Sequence, residues 1–148
     1  MSSLSSMYIA LCLGLCVICC TAGTCQHSGA DMLTEYTCGR STNIQIDASC
    51  NLPIYVPSGS APSFVAVILT CDNPASELHL TISGNDPSSL RELSVSRKRH
   101  FSLKGNTVSL NLNYLKLVAI NPDSNKKDPD GGIFMRSGAL YTTHVWFD

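Results

Sequence analysis

The stretch Phe64-Val-Ala-Val-Ile-Leu-Thr-Cys71 decides the fold class, because it is continuous, apolar and rich in β-branched residues. We expect it to lie in the middle of a sheet, covered on both faces. The next run, Glu77-Leu-His-Leu-Thr-Ile-Ser83, alternates: Leu78, Leu80 and Ile82 share one face, and the polar residues share the other. A period of two rather than 3.6 predicts strands instead of helices.

The same period continues toward the C-terminus. Val108–Leu112 alternates with Val108, Leu110 and Leu112 inward, and the apolar phase then shifts at Asn113. A bulge or turn at Asn113 explains the shift before the pattern resumes over 114–120. A last strand is predicted over Ala139–Phe147. Weaker strands are predicted at 43–47, 54–56, 93–95, 101–103 and 133–135.

Turn-forming segments separate these runs, and Lys104-Gly105-Asn106 between two alternating runs predicts a hairpin. Only Ser88–Arg99 has room for a short helix, and no internal repeat is visible. Short strands with turns roughly every 8–12 residues are typical of sandwiches and barrels. We therefore predict an all-β fold: a small, disulfide-stabilised Greek-key β-sandwich with room for one short helix.

The N-terminus has the composition of a secretory signal peptide. No charged side chain occurs from Met1 to Ala30, Met7–Cys20 is unbroken and apolar, and Thr21-Ala22-Gly23 supplies small residues for cleavage. We expect a signal peptide over 1–23 and a single secreted β-rich domain over 24–148. The alternative is a retained membrane anchor, which is less favoured because the run is shorter than the roughly 20 residues a span needs.

Eight cysteines occur, and four of them fall inside the leader. The other four, Cys25, Cys38, Cys50 and Cys71, predict two disulfides in an oxidising compartment. Four cysteines allow three pairings, and the sequence does not choose among them. We prefer the sequential pairing, Cys25 with Cys38 and Cys50 with Cys71, because it encloses short loops.

Charge and motifs exclude several functions. Ten basic and eleven acidic residues give a net charge of −1, so no overall field attracts nucleic acid or an acidic membrane. The motifs G-x-S-x-G and H-E-x-x-H are absent. The histidines, His27, His79, His100 and His144, are far apart in sequence. We expect no enzyme and no catalytic residue, although a triad assembled from distant residues stays open.

Arg97-Lys98-Arg99-His100, with Arg91 and Lys104 nearby, is a candidate site for a sulfated polyanion. Several positive charges on one surface add their attraction for such a ligand. Two other interpretations stay open. The run is also a weak convertase cleavage signal. The interpretation that we favour is a solvated loop that protects an edge strand from aggregation.

Calcium is the one cofactor that the sequence suggests. Asn121–Gly132 carries oxygen ligands at alternating positions and resembles the aspartate-rich calcium loops of extracellular proteins such as thrombospondin type 3 repeats. The candidate ligands are Asp123, Asn125, Asp128 and Asp130. Lys126 and Lys127 place positive charge beside them, and the alternative is a plain polar connection.

These observations favour a secreted extracellular binding module that engages a protein or glycan without catalysis. No nucleic acid and no membrane span after signal cleavage are expected. One alternative is a structural, self-associating or defensive secreted protein that pairs through an exposed edge such as Tyr141–Phe147. Another is a secreted hydrolase, which requires a pocket holding His79 or His144 beside a carboxylate and a hydroxyl. The sequence leaves the oligomeric state open.

Overall fold

A computed structural model describes residues 23–27, 29–53, 64–96, 98–120 and 131–148, so the expected signal peptide lies outside it except for Gly23. Within these residues the chain forms strands and no helix. The strands are β1 (Gln26–His27), β2 (Ala30–Asp31), β3 (Glu35–Thr37), β4 (Arg40–Ile46), β5 (Cys50–Asn51), β6 (Val65–Thr70), β7 (Leu78–Gly84), β8 (Arg91–Ser96), β9 (Arg99–Lys104), β10 (Val108–Ile120), β11 (Ile133–Met135) and β12 (Ala139–Phe147).

Two parallel sheets make up the body of the protein. One has the order β4-β7-β10-β8-β5, with β12 also paired to β10, and the other has the order β11-β9-β6-β3. Among the described strands, only those of the small β1–β2 sheet pair antiparallel. The predicted Greek-key β-sandwich is therefore wrong, because a Greek key is made of antiparallel strands. The predicted β content is confirmed.

The chain winds in successive passes, each of which we call a coil. Coil 1 runs through β3, β4 and β5, coil 2 through β6, β7 and β8, coil 3 through β9 and β10, and coil 4 through β11 and β12. Each strand pairs with the equivalent strand of the neighbouring coil, as in a parallel β-helix. The long β10 pairs with β7 along its first half and with β8 along its second. This sheet therefore curls like half a barrel.

The curl of β10 is produced at Tyr114, whose φ is 57°. His144 occupies the equivalent point of β12 with a φ of 52°. A left-handed residue turns the strand and reverses which side chains face inward. The turn predicted at Asn113 is thus present one residue later, at Tyr114.

The corner at Lys104–Asn106 is not a hairpin, since β9 and β10 lie in different sheets. Gly105 makes this corner with a φ of 124°, and a Cβ at this position would lie 1.9 Å from the carbonyl oxygen of Cys71 in the coil below. The glycine is therefore required by the close approach of two coils as well as by its backbone conformation.

The core is a set of columns that run from coil to coil. Leu80, Leu110 and Leu140 are in register with one another at 30-residue intervals, and Ile82 is in register with Leu112. Every side chain predicted to face inward on β7 and on the first half of β10 is buried. The coil is thus a structural repeat, although the sequence shows no repeated motif.

The strand predictions otherwise hold, and the helix prediction does not. The run predicted over 64–71 forms β6 (Val65–Thr70), which lies between β3 and β9 as expected for an inner strand. The segment proposed for a short helix, Ser88–Arg99, instead contains β8 and the start of β9. The weak strand predicted at 54–56 lies outside the described residues.

Two disulfides join cysteines of the described residues, and their pairing differs from the expected one. Cys25 is joined to Cys50, and Cys38 is joined to Cys71. The first bond fixes the N-terminal segment to β5, and the second joins coil 1 to coil 2 at one corner. Sequential pairing fails because in a coiled chain residues about one turn apart are neighbours. Each bond contributes about 3–4 kcal/mol to stability by restricting the unfolded chain.

Candidate functional site

An array of side chains, polar apart from Ala139, covers the outside of β4, β7, the first half of β10 and the first half of β12. We call it the polar face. Its side chains alternate with the buried columns, so the same period of two that builds the core also builds this surface. Its members are Ser41, Asn43, Gln45, His79, Thr81, Ser83, Ser109, Asn111, Asn113, Ala139, Tyr141 and Thr143. No Asp, Glu, Lys or Arg is among them.

Parallel, in-register pairing gives the polar face a regular spacing. Asn43, Thr81, Asn111 and Tyr141 form one row across four strands. Neighbouring strands lie about 4.8 Å apart, and side chains on one face repeat roughly every 6.6 Å along a strand. The face therefore presents hydroxyl and amide groups on a grid.

Hydrogen bonds between coils hold the amides of this grid in place. The Asn111 side-chain amide donates to the Thr81 hydroxyl at 3.3 Å, and the Asn113 amide donates to the Ser83 hydroxyl at 3.1 Å. Each amide keeps its oxygen and its second proton for other partners. The side chains are thus oriented before any ligand arrives, which lowers the entropic cost of binding.

His79 is the centre of a hydrogen-bonded trio at one margin of the polar face. Its Nδ1 lies 2.5 Å from the Ser109 hydroxyl oxygen, and its Nε2 lies 2.8 Å from a carboxylate oxygen of Glu77. These are the three group types that the hydrolase alternative requires. Ser109 is only 9% exposed, however, and none of the three main cavities in the described residues is lined by any of the trio. The expectation of no enzyme therefore stays a prediction, and the hydrolase stays its alternative.

Tyr141 is the one aromatic side chain of the polar face, and it is 60% exposed. It stands on β12, next to Asn111 in register. Its ring offers a flat apolar surface at the end of a row of hydrogen-bonding groups. Trp146 and Phe147, further along β12, are also exposed.

The basic residues near β9 are distributed over different environments. Arg99 lies 5.0 Å from the centre of the Phe134 ring, while Lys104, at the other end of β9, forms a 3.1 Å ion pair with Asp72. Arg91 begins β8, Lys98 lines a cavity, and Arg97 lies outside the described residues. Polyanion binding remains a prediction. The described basic residues do not form one continuous surface, and Lys104 is already paired with Asp72.

His100 is part of the core rather than of a basic surface. It is 1% exposed, and its Nε2 donates a hydrogen bond to the Leu93 carbonyl oxygen at 3.0 Å. Burial lowers the pKa of His100, because desolvation penalises the charged ring. In this fold the ring does not reach a ligand on the surface.

The calcium loop predicted at Asp123, Asn125, Asp128 and Asp130 lies outside the described residues. Among the residues that are described, no group of three or more His, Cys, Asp or Glu side chains is placed to hold a metal ion. Calcium binding thus stays a prediction.

Sequence reasoning identified the polar side of β7, including His79, but missed most of the polar face. Asn111, Asn113 and the residues of β4 are plain polar positions in separate strands. The alternation of polar and apolar residues in these strands indicated that the polar side chains face outward. Only parallel pairing in register places them side by side, and that pairing was not foreseen.

Comparison of the chain with protein families, with curated proteins and with solved structures gave no match. The described part of the chain has no helix of the length and apolarity needed to cross a membrane.

Proposed function

We propose that the protein is a secreted extracellular binding module whose polar face holds an uncharged polysaccharide. The observation that carries the proposal is the absence of charge across the polar face, combined with its ordered amides and hydroxyls. Sugars present hydroxyl groups that both donate and accept hydrogen bonds, and neutral amides and hydroxyls are their matching partners. An extended, regular polymer suits a grid better than a closed pocket does.

The orientation of the amides supports this function. The Asn111 and Asn113 side chains are already bonded to Thr81 and Ser83, so little side-chain entropy is lost on binding. Tyr141 adds an exposed ring against which the apolar face of a sugar stacks. Many weak contacts along a polymer then add up by multivalency.

A glycan is favoured over a protein as the partner. Protein interfaces concentrate buried aromatic and apolar anchors at their centre. The centre of the polar face holds Thr81 and Asn111 instead, and its single aromatic residue lies on the outermost strand, β12. Export is supported by the leader-like N-terminus and by the two disulfides, since such bonds persist in oxidising compartments.

The proposal is tested by co-sedimentation with insoluble neutral polysaccharides such as cellulose, chitin and β-1,3-glucan. We expect wild type to pellet with at least one of them, and Asn111→Ala with Asn113→Ala to weaken that binding by about tenfold or more. Ser102→Ala, on the outer side of the other sheet, is the matched control and binds as wild type does. Failure to bind any neutral polysaccharide, or a protein captured through the same residues, overturns the proposal.

Self-association is a second candidate, and the exposure of β12 favours it. In the described residues β12 pairs with β10 alone, and Trp146 and Phe147 beside its free edge are exposed. An unpaired edge with apolar side chains is a template for another strand. Light scattering after size exclusion at high concentration tests it. Dimers that Trp146→Lys disperses support it, whereas a wild-type monomer excludes it.

A further inference from the structure

An open cavity of about 320 Å³ lies at the corner where coils 2, 3 and 4 each turn from one sheet into the other. Its lining comes from segments 71–74, 104–107 and 136–137, and none of these adjoins residues outside the described part of the chain. We call it the corner cavity. Its volume is at the lower end of the range for small-molecule sites, which suits a ligand of one sugar ring.

Parallel pairing brings two cations side by side at this cavity. Leu103 of β9 lies opposite Met135 of β11, and the Arg136 backbone N–H donates to the Leu103 carbonyl oxygen at 3.0 Å. The next residues along the two strands, Lys104 and Arg136, therefore stand opposite each other, and both line the cavity. Neighbouring strands lie about 4.8 Å apart, so the two like charges disfavour one another.

One carboxylate faces these two cations. Asp72 forms the 3.1 Å ion pair with Lys104, and both side chains are largely exposed, so the pair contributes little stability. Arg136 is also exposed, and its guanidinium forms no ion pair or hydrogen bond with the described residues. The lining therefore has two positive groups and one negative group, which leaves room for one more negative charge.

The uncharged part of the lining offers oriented hydrogen-bonding groups. The Ser137 hydroxyl accepts the Gly105 backbone N–H at 2.8 Å, so its own proton is left to donate. The Thr107 hydroxyl donates to the Cys71 sulfur at 3.3 Å, so its oxygen is left to accept. The exposed amide of Asn106 both donates and accepts. These groups match a ligand that carries hydroxyls beside its charge.

We propose that the corner cavity binds an acidic sugar with a single negative charge, of which a hexuronate is the simplest case. The carboxylate lies between Arg136 and Lys104, where the guanidinium fork binds it through two hydrogen bonds and the added charge relieves the repulsion of the two cations. Asp72 repels a second negative charge, so a monoanion is preferred over a dianion. The cavity lies outside the polar face, and either proposal survives the failure of the other.

The experiment is isothermal titration calorimetry of the mature protein with glucuronate, glucose, acetate and glucose 6-phosphate. Glucose keeps the ring without the charge, acetate keeps the carboxylate without the ring, and glucose 6-phosphate carries a second charge. We expect glucuronate to bind wild type about tenfold or more tightly than each of the others. Arg136→Gln should lower the affinity for glucuronate by about tenfold or more. Arg99→Gln, at the other end of β9, is the matched control and keeps it.

Any of three results would overturn the proposal: no binding of glucuronate at millimolar concentration, equal or tighter binding of one of the other three compounds, or unchanged glucuronate affinity in Arg136→Gln. If that variant does not fold, amide chemical shifts of wild type locate the ligand instead. The largest changes on adding glucuronate should fall on Gly105 and Ser137, and changes centred elsewhere count against the corner cavity.

Discussion

The rings of Tyr114 and His144 stack with their centroids 5.6 Å apart, although 30 residues separate them in sequence. Both residues have a left-handed backbone, with φ of 57° and 52°. Each residue forms the same corner of its own coil, Tyr114 in coil 3 and His144 in coil 4. The stacked rings are therefore consistent with the register of coil 4 on coil 3. They lie at the point where the curled sheet changes direction.

Tyr114→Val should destabilise the protein more than Tyr114→Asn. Both variants lose the ring contact with His144, but valine is β-branched and strongly disfavours positive φ, whereas asparagine tolerates it. We expect a difference of about 1–3 kcal/mol in the free energy of unfolding, measured by urea denaturation. Equal losses would show that the corner does not depend on its backbone conformation.

Gly105→Ala should be among the most damaging single-methyl additions. The new Cβ would lie 1.9 Å from the Cys71 carbonyl oxygen and would force coils 2 and 3 apart. We expect a loss of roughly 3 kcal/mol or more, or failure to fold. Gly39→Ala is the control. Its φ is also positive, at 80°, but nothing lies within 4 Å of its Cβ position, so about 1 kcal/mol should be lost. A mild effect at Gly105 would contradict the close packing of this corner.

Acid should destabilise the protein through His100. Burial lowers its folded-state pKa below the ordinary value of 6.5, so the unfolded chain takes up the proton first. The contribution of His100 to the free energy of unfolding is therefore complete above its pKa in the unfolded chain. It decreases as the pH falls from that value toward the pKa of His100 in the folded protein, by at most about 1.4 kcal/mol per pH unit.

Urea denaturation at pH 7.5 and pH 5 checks the role of His100. Wild type and His27→Gln, a control on the β1–β2 hairpin, should lose more stability at the lower pH than His100→Gln does. A His100→Gln variant that is as acid-sensitive as wild type would remove the buried ring as the cause.

The leucine column predicts a stability gradient along the coils. Leu80 and Leu110 are fully buried, whereas Leu140 in coil 4 is half-buried. Leu110→Ala should cost about 2–5 kcal/mol in unfolding free energy, and Leu140→Ala closer to 1 kcal/mol. Since the two substitutions remove the same atoms from the same column, equal costs would mean that coil 4 is covered as completely as coil 3.

The strands were predictable from the sequence, and their direction was not. Leu78, Leu80 and Ile82 alternate in the same way in a parallel and in an antiparallel strand, so the period identifies the buried face but not the pairing. Short connections such as Lys104–Asn106 usually make hairpins. Here the chain turns a corner into another sheet, and the whole coil acts as the crossover that parallel pairing requires.

The polar face also depends on the parallel pairing of the strands, which the sequence did not predict. Asn111 and Thr81 are ordinary polar residues of different strands until parallel register brings them into hydrogen-bonding distance. Lys98 was predicted as one member of a basic surface cluster, because sequence shows charge and not burial. His100 was misplaced for the same reason, since its neighbours in sequence are basic and its neighbours in space are core residues.

The positions of the disulfides have a mechanical consequence. Cys25–Cys50 and Cys38–Cys71 secure the N-terminal segment, coil 1 and the start of coil 2, and coils 3 and 4 have no covalent cross-link. A pulling force applied at Phe147 would peel β12 and β11 away first and then unwind coil 3. Unwinding would stop at the Cys38–Cys71 disulfide, because a covalent bond does not yield to such a force. The N-terminal segment and coil 1 would stay cross-linked under tension.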